Sequence, residues 1–439
     1  MQPAEDRRIE MRALARHLFE HALAEANIDR AFARHVSCEH NTLRVCEDLY
    51  ELSSYGRVLV ISIGKAAQKM VDALESQAGC RFRGIIASSV APASQTRGFR
   101  YFRGGHPTPN PESIHGAEAI LKSVEALDEG SLVIFLLSGG GSSIAEKPID
   151  EEISLDDLTA TYRGLVLSGA PIGEINAIRK HLSAIKGGRL AQAAFPARQV
   201  SLLVSDVPDH HPDALASGPT MPDPTSVEDC YRIAAQYQLI EQLPASVREL
   251  FVHRALEETP KSEDPSFHRS RWWTVLSNGS LLAAAKAEAE RAGLRTEVDN
   301  SCDDWDYREA AAYLVGRLAQ LREQSSPVCL ISGGEVTVKV TGAGIGGRNQ
   351  QFALECAEKI ANRNMTVLSA GTDGIDGNSP ATGAIVDGTT LARAKDRGLL
   401  VETHLDGFNA YPFFHALGDE IATGATANNL RDLRILLAY

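Results

Sequence analysis

The sequence predicts an α/β protein with mostly parallel sheets, divided into two domains. Three observations predict it. Apolar strand-like runs alternate with helical runs along most of the chain, as parallel strands joined by helical crossovers require. The 439 residues exceed what one hydrophobic core serves. The strand-like runs end in glycine-rich or acidic loops, and open α/β sheets bind ligands beyond the carboxyl ends of their strands.

Taken in order, residues 9–28 place Met11, Leu14, Leu18, Phe19 and Leu23 at helical spacing. "RVLVISI" then reads as a buried strand, Gly64 as its turn, and a helix begins at Lys65 or just after. "RGIIASSV" is the next strand. "SLVIFLLSGGGSS" is a strand opening into a glycine loop, and "RQVSLLVSDVPDHHP" a strand opening into a long polar loop. "WWTVLSNGSLLAAAKAEAERAGLRTEV" is strand, turn, helix and strand. "PVCLIS", "EVTVKV", "NMTVLSAG" and "ATGAIVDG" continue as strands, giving mostly parallel sheets. The polar, proline-bearing stretch 256–272 is the candidate boundary, which gives domains 1–270 and 271–439. Its alternative reading is a surface loop within one domain.

Charge and composition narrow the function. A net charge of −13 argues against a broad nucleic-acid or membrane surface and leaves room for a local pocket that takes a small anion. No apolar run reaches the roughly 18–20 residues of a membrane helix, and the charged N-terminus has no signal-peptide core. Seven scattered cysteines without a C-x-x-C pair argue against a disulfide framework or zinc ribbon. The expectation is a reduced, cytoplasmic monomer or homodimer.

Several loops carry candidate chemistry. Gly139, Gly140 and Gly141 let the backbone approach an anion, and Ser142 and Ser143 add hydroxyls. The loop is not a Walker A motif, since G-x-x-x-x-G-K-[ST] is absent. Lys65, after Gly64, stands at a helix start, where a cation is unfavourable unless an anion is bound there. Asp206 ends a strand directly, so it is the candidate for Mg²⁺ contact or proton acceptance, while Asp209, His210 and His211 read as loop surface. His106 lies between glycine and proline in a rigid loop. Arg179 or Lys180 is the candidate anion contact on the helix "INAIRKH". Gly333 and Gly334 follow a strand, and Asp373 lies in an Asp-Gly turn at a strand end, a candidate metal or ribose contact.

"VTGAGIGGRNQQ" poses the sharpest choice. Gly342, Gly344 and Gly347 fit G-x-G-x-x-G, the dinucleotide fingerprint. That fingerprint wants an acid about 20 residues on, ending the next strand, but "MTVLSAG" ends without one. Gly346 and Gly347 instead present Arg348, a guanidinium suited to a transferring phosphoryl group.

Together the segments "GKAAQKM", "GGHPTPNPES", "LLSGGGSS", "INAIRKHLSAIKGGRLA", "SDVPDHHPDALASGPTMPDPT", "SGGEVTVKVTGAGIGGRNQQFAL", "AGTDGIDG" and "TGATANNLRDLRILL" resemble the MOFRL-type glycerate 2-kinases, also called class II glycerate kinases, from about Val58 to Leu436. The resemblance implies a two-domain α/β fold, a large Rossmann-like domain on a parallel sheet and a smaller C-terminal α/β (MOFRL) domain with the active site in the cleft between them, and ATP- and Mg²⁺-dependent phosphorylation of D-glycerate at its 2-hydroxyl. It assigns the family's functional lysine to Lys65, its loop arginine to Arg348 and its S-D-V-P aspartate to Asp206. Relatives read S-D-V-P-G-D-D-P and T-G-P-T-G-T-N. Here Asp209, His210 and His211 replace a glycine and two acids, and Ala425, Ala427 and Asn428 also depart. The departures leave open a shifted sugar-acid substrate or reduced activity. The rival readings are an NAD(P)-dependent hydroxypyruvate reductase, a metal hydrolase using Asp206, Asp209, His210 and Asp213, and a non-catalytic sugar-acid sensor.

Overall fold

Continuous apolar runs such as "SLVIFLLS" suit strands covered on both faces, and such strands form the middle of the parallel sheet. The computed structural model describes residues 2–92, 94, 96–426 and 428–439. The chain divides into two compact units, Ile28–Val275 and Met1–Asn27 together with Leu276–Tyr439.

The Ile28–Val275 unit opens with the helix Ile28–His35 and a small antiparallel sheet of β1 (Val36–Glu39), β2 (Thr42–Val45) and β3 (Asp48–Glu51). Its main sheet has β4 (Arg57–Ile63), β5 (Gly84–Ser88), β6 (Phe99–Arg103), β7 (Ser131–Ser138), β8 (Arg198–Val204) and β9 (Ser270–Leu276), in the order β6-β5-β4-β7-β8-β9. The pairs β4–β5, β5–β6, β4–β7 and β7–β8 are parallel. This is the doubly wound Rossmann order, whose direction reverses between β4 and β7. Every residue of β7 is buried, and Ile61, Ile63, Val133, Phe135, Leu137 and Leu203 join one core. A second, helical core gathers Leu158, Ile178, Ile233 and Phe251.

The 256–272 stretch is a loop inside this unit. Thr259 is buried and donates to Asp223 (2.9 Å), and Ser270 already begins β9. The stretch connects the helix Ala245–Val252 of the helical core to β9.

The other unit is built differently. Its strands are β10 (Arg295–Val298), β11 (Val328–Ser332), β12 (Met365–Gly371), β13 (Gly383–Asp387), β14 (Glu420–Ile421) and β15 (Asp432–Ala438), in the order β10-β11-β15-β12-β13-β14. Only β10–β11 is parallel; β15 lies antiparallel to both neighbours, as do the remaining pairs. The expectation of a mostly parallel sheet fails here. The segment from β12 to β13 contains no helix to carry a parallel crossover. "EVTVKV" is not a strand either. It makes one isolated bridge, Asp306 to Thr337, and its alternating valines run from buried Val336 to Val340 at 61% exposure.

The N-terminal helix, Gln2–Glu25, belongs to this second unit, which differs from the expected 1–270 and 271–439 division. Its buried face is Met11, Ala15, Leu18, Phe19 and Ala22, and it packs on the helix Asn278–Arg291 and on β12 and β15. Arg12 reaches Asp387 (2.6 Å) and Asp419, carboxylates that are 1% and 2% exposed. Helical spacing told of a buried face but not of the surface it covers. Arg12→Ala leaves these carboxylates short of a cation while Arg393 still bonds Asp419. The expected cost is roughly 2–3 kcal/mol, read as a lower urea midpoint at unchanged m-value.

Candidate active site

At the reversal point of the parallel sheet, β4 and β7 run in register, Ile63 beside Leu137, so the segments that follow them emerge together. The Lys65 N–H donates to the Gly139 carbonyl (2.9 Å) and the Ala66 N–H to Ser138 Oγ (3.1 Å), which ties the two turns. Gly64 is buried within this junction and the Lys65 side chain is exposed. Asp206, two residues beyond β8, lies against Gly139, where a Cβ would stand 2.0 Å from its Oδ2. Gly140 has φ +81°, and a Cβ there would fall 2.9 Å from the His106 ring and 3.2 Å from the Lys65 side chain. Only glycine allows both that conformation and that approach. The Gly139-Gly140 backbone is therefore a common wall for Lys65, His106 and Asp206.

Desolvation beside the glycine loop, and then the charge of Lys65, hold the His106 imidazole below its ordinary pKa. It is neutral at pH 7, a hydrogen-bonding group rather than a cation. Gly141 begins the short helix Gly141–Ile144. Ser142 shares a hydrogen bond with Ser217 (2.9 Å), and the largely buried Ser143 donates to the Gly140 carbonyl (3.4 Å). Both hydroxyls have partners within the fold.

The two candidate cations of the helix Ile172–His181 separate. Lys180 is 3% exposed and bonds Asp213 (2.8 Å) and Asp223 (3.1 Å). It is a buried counter-ion that holds the polar loop, which corrects its nomination as an anion contact. Arg179 lies over the Tyr162 ring (4.7 Å), and burial lowers its pKa. Asp209, His210 and His211 are exposed. Among the described residues no three His, Cys, Asp or Glu side chains are grouped as a metal site requires. The arrangement that the metal-hydrolase reading needs is therefore not formed by Asp206, Asp209, His210 and Asp213.

In the second unit, Arg348 begins the helix Arg348–Lys359. Its Nε and Nη2 donate to Asp432 (2.7 and 3.1 Å), and Nη2 also to Glu335 (2.6 Å). Burial opposes its charge, but these carboxylates more than offset that and hold the guanidinium above its ordinary pKa. The helix start is already occupied by a carboxylate. Asp376 accepts the backbone N–H of Asn349 (3.1 Å) and Gln350 (2.9 Å) and the Gln350 side chain (3.0 Å). A Cβ on Gly347 would stand 2.3 Å from that carboxylate. Gly346 donates to Asn378 (2.9 Å). The donors that would greet a pyrophosphate in a dinucleotide site are thus answered by the protein.

Arg348, Gly346, Gly347, Asp373 and Glu335 line a cavity of about 670 Å³ within this unit. Gly333 and Gly334 do not join it. Their N–H groups donate to Asn300 (2.8 Å) and Asn278 (3.2 Å), so they are no open phosphate cradle. Asn428 donates to the Ala26 carbonyl (2.6 Å), Ala425 precedes it in the same loop, and Ala427 lies outside the described residues. Sequence reasoning missed Asp376, Asp432 and Glu335. The acid of an Asp-Gly turn reads as turn chemistry, and acids near a chain's end carry no spacing that names a partner.

Residues 14–252 match the family described as Domain of unknown function (DUF4147), and residues 328–432 match the MOFRL family. The chain is 34% identical to the glycerate 2-kinase of Pyrococcus horikoshii over 438 residues, 98% of each chain. It is 36% identical to the D-glycerate 2-kinase of Thermotoga maritima over 388 residues, 86% of this chain and 90% of that one. The crystal structure of glycerate kinase from Thermotoga maritima matches with a TM-score of 0.85 at 32% identity, covering 98% of this chain and 100% of that one.

Burial raises the Asp376 carboxyl from 3.8 to about 6 despite its hydrogen-bond donors. Its raised pKa contributes stability that is full below the unfolded value and lost as pH rises through about 6. A shift of this size is worth roughly 3 kcal/mol. Wild type should therefore lose stability relative to Asp376→Asn between about pH 4 and 6. Urea unfolding across that range checks it, and a constant difference would exclude it.

Proposed function

The chain belongs to the MOFRL glycerate kinase family, and we propose that it transfers a phosphoryl group from ATP to the 2-hydroxyl of D-glycerate, with Mg²⁺ as counter-cation. The observation that carries this reading is the meeting of Lys65, His106 and Asp206 on the Gly139-Gly140 wall at the sheet's reversal point. A cation, a neutral imidazole and a carboxylate on a glycine backbone suit a reaction in which positioning and charge neutralisation supply most of the rate.

Lys65 neutralises charge on the transferring phosphoryl group. Asp206 accepts the hydroxyl proton or contacts the metal. His106, uncharged, orients the substrate by hydrogen bonding. Arg348 supplies a second cation, and Arg179 pairs with the substrate carboxylate. The residues fit a Mg²⁺ that arrives on the nucleotide, because Mg²⁺ keeps several waters and needs only one or two protein carboxylates beside the phosphates. Bound that way, Mg²⁺ offsets phosphate charge. A cytoplasmic location belongs to the same proposal, supported by seven free cysteines.

The hydroxypyruvate reductase reading loses its physical basis at Asp376, which takes the helix N-terminus that a dinucleotide would need.

Purified protein with Mg-ATP and D-glycerate, followed by phosphorus NMR, should yield 2-phosphoglycerate. Formation of 3-phosphoglycerate would reject the regiochemistry. Oxidation of NAD(P)H on hydroxypyruvate without ATP turnover would reject the kinase. Lys65→Ala and Arg348→Ala should each lower kcat by roughly 100-fold, and near-normal turnover in either removes that residue from the mechanism.

A further inference from the structure

The segment from Arg179 to Arg189 carries five basic residues, and among the described residues four of them meet an acid. Lys180 bonds Asp213 and Asp223. His181 lies 3.0 Å from Glu258, Lys186 pairs with Glu146, and Arg189 stands 3.8 Å from Glu257. Arg179 is the exception. Among the described residues its guanidinium has no hydrogen-bond or ion-pair partner. Its Nε is buried, while its Nη groups are not enclosed. A half-buried cation without a counter-ion costs stability, and destabilising features persist where function needs them.

Arg179 is held by the face of Tyr162, with the guanidinium carbon 4.7 Å from the ring centre. A planar guanidinium stacks on an aromatic face and keeps its edge donors for hydrogen bonding. The ring is fixed at its far end. Tyr162 is buried, and its hydroxyl donates to Glu146 (2.6 Å). The wholly buried Glu146 also takes Ser183 Oγ (2.6 Å), the Lys147 N–H (3.0 Å) and Lys186.

This anchor adjoins the glycine loop. Glu146 lies two residues beyond the helix Gly141–Ile144, and its N–H donates to the Ser113 carbonyl (3.2 Å). Ser113 Oγ in turn accepts the N–H of Gly105 (3.0 Å), the neighbour of His106. On the other side, Gly187 follows Lys186 and donates to the Ser217 carbonyl (3.0 Å), and Ser217 shares its hydroxyl bond with Ser142. The stacked pair of Arg179 and Tyr162 is thus built on the frame that carries the Gly139-Gly140 wall.

Two Nη donors in one plane match the two oxygens of a carboxylate. We propose that Tyr162 is the positioning residue that makes this site selective for an acid: its ring holds Arg179 away from the protein's own carboxylates, so that the carboxylate of the substrate becomes the counter-ion. The proposal rests on the kinase reading above and adds to it what selects a hydroxy acid over the neutral amide of the same shape.

Steady-state kinetics and thermal shift on the full chain test it. Tyr162→Leu removes the ring face. It should raise KM for D-glycerate roughly tenfold or more, with kcat and the KM for Mg-ATP within about threefold of wild type. Tyr162→Phe keeps the face and should hold KM for D-glycerate within about threefold of wild type. A raised KM for Mg-ATP in place of D-glycerate, or a Tyr162→Phe variant as impaired as Tyr162→Leu, overturns the proposal. Arg179→Gln keeps the test decisive if Tyr162→Leu fails to fold. Without ligand it should melt no lower than wild type, because it sheds an unpaired charge. D-glycerate should raise the melting temperature of wild type and not of Arg179→Gln, and D-glyceramide should raise neither. A lower melting temperature in ligand-free Arg179→Gln, an undiminished shift by D-glycerate, or an equal shift of wild type by D-glyceramide overturns the proposal. Glycerate phosphorylation by the wild type, scored separately, tells the failures apart. Turnover alongside any of these failures sinks only the role of Tyr162 and Arg179. No turnover and no shift by D-glycerate sink the kinase reading and this proposal with it. No turnover with a shift that depends on Arg179 sinks the kinase reading and supports the acid recognition.

Discussion

The bond between Arg348 and Asp432 sets the geometry of the second unit around its cavity. Asp432 opens β15, a strand between two neighbours whose every residue is buried. A carboxylate in that position must be paired or lose its charge. It is paired with Arg348 and, at 3.4 Å, with the wholly buried Arg434. Arg434 in turn donates to the Gly333 carbonyl (2.8 Å), which anchors the turn after β11. Pairing with Asp432 also fixes where the helix Arg348–Lys359 begins. The glycines before it then curl back, and Gly344 packs against the carbonyls of Gly407 and Phe408. The cavity is the space that this curl leaves open.

In the Ile28–Val275 unit the governing constraint is register. Parallel strands deliver their carboxyl ends to one edge, and β4 beside β7 is the pair at which crossovers leave to opposite sides. The turns after them interlock through the Lys65–Gly139 hydrogen bond. That contact places a lysine carried by one strand against a glycine loop carried by the next. Asp206 arrives from β8 by the same logic, one strand further along the sheet.

This difference explains what could be read in the sequence. Gly64-Lys65, Gly139–Ser143 and Asp206 were legible because each follows an apolar run directly, and parallel topology brings such ends together without further information. The second unit has no such rule. "LRDLRILLAY" hides its central strand, because Asp432 and Arg434 interrupt the apolar pattern that marks a buried one, and their burial makes sense only once Arg348 is known to meet them. "EVTVKV" has the period of a strand but follows the rim of a cavity. Lys180 and Arg179 are neighbours on one helix, and only the position of Asp213 and Asp223 shows which of the two is already paired. The N-terminal helix shows an apolar face in sequence, while its partner surface lies at the other end of the chain.

The glycine fingerprint and the Rossmann strand order both occur in this chain, and their separation is informative. In a dinucleotide-binding fold they coincide, because the fingerprint is the first turn of the doubly wound sheet. Here the doubly wound sheet has Gly64-Lys65 at that turn, and the fingerprint lies in the unit whose sheet is mostly antiparallel. The first turn places a lysine where a dinucleotide fold places bare glycines. The fingerprint begins a helix whose donors Asp376 already accepts, and a second buried anion there would meet that carboxylate at close range. Each half of the dinucleotide site thus lacks what makes the other half work. What remains in the Ile28–Val275 unit is a lysine beside a glycine-rich backbone, and in the other unit an arginine already paired with carboxylates.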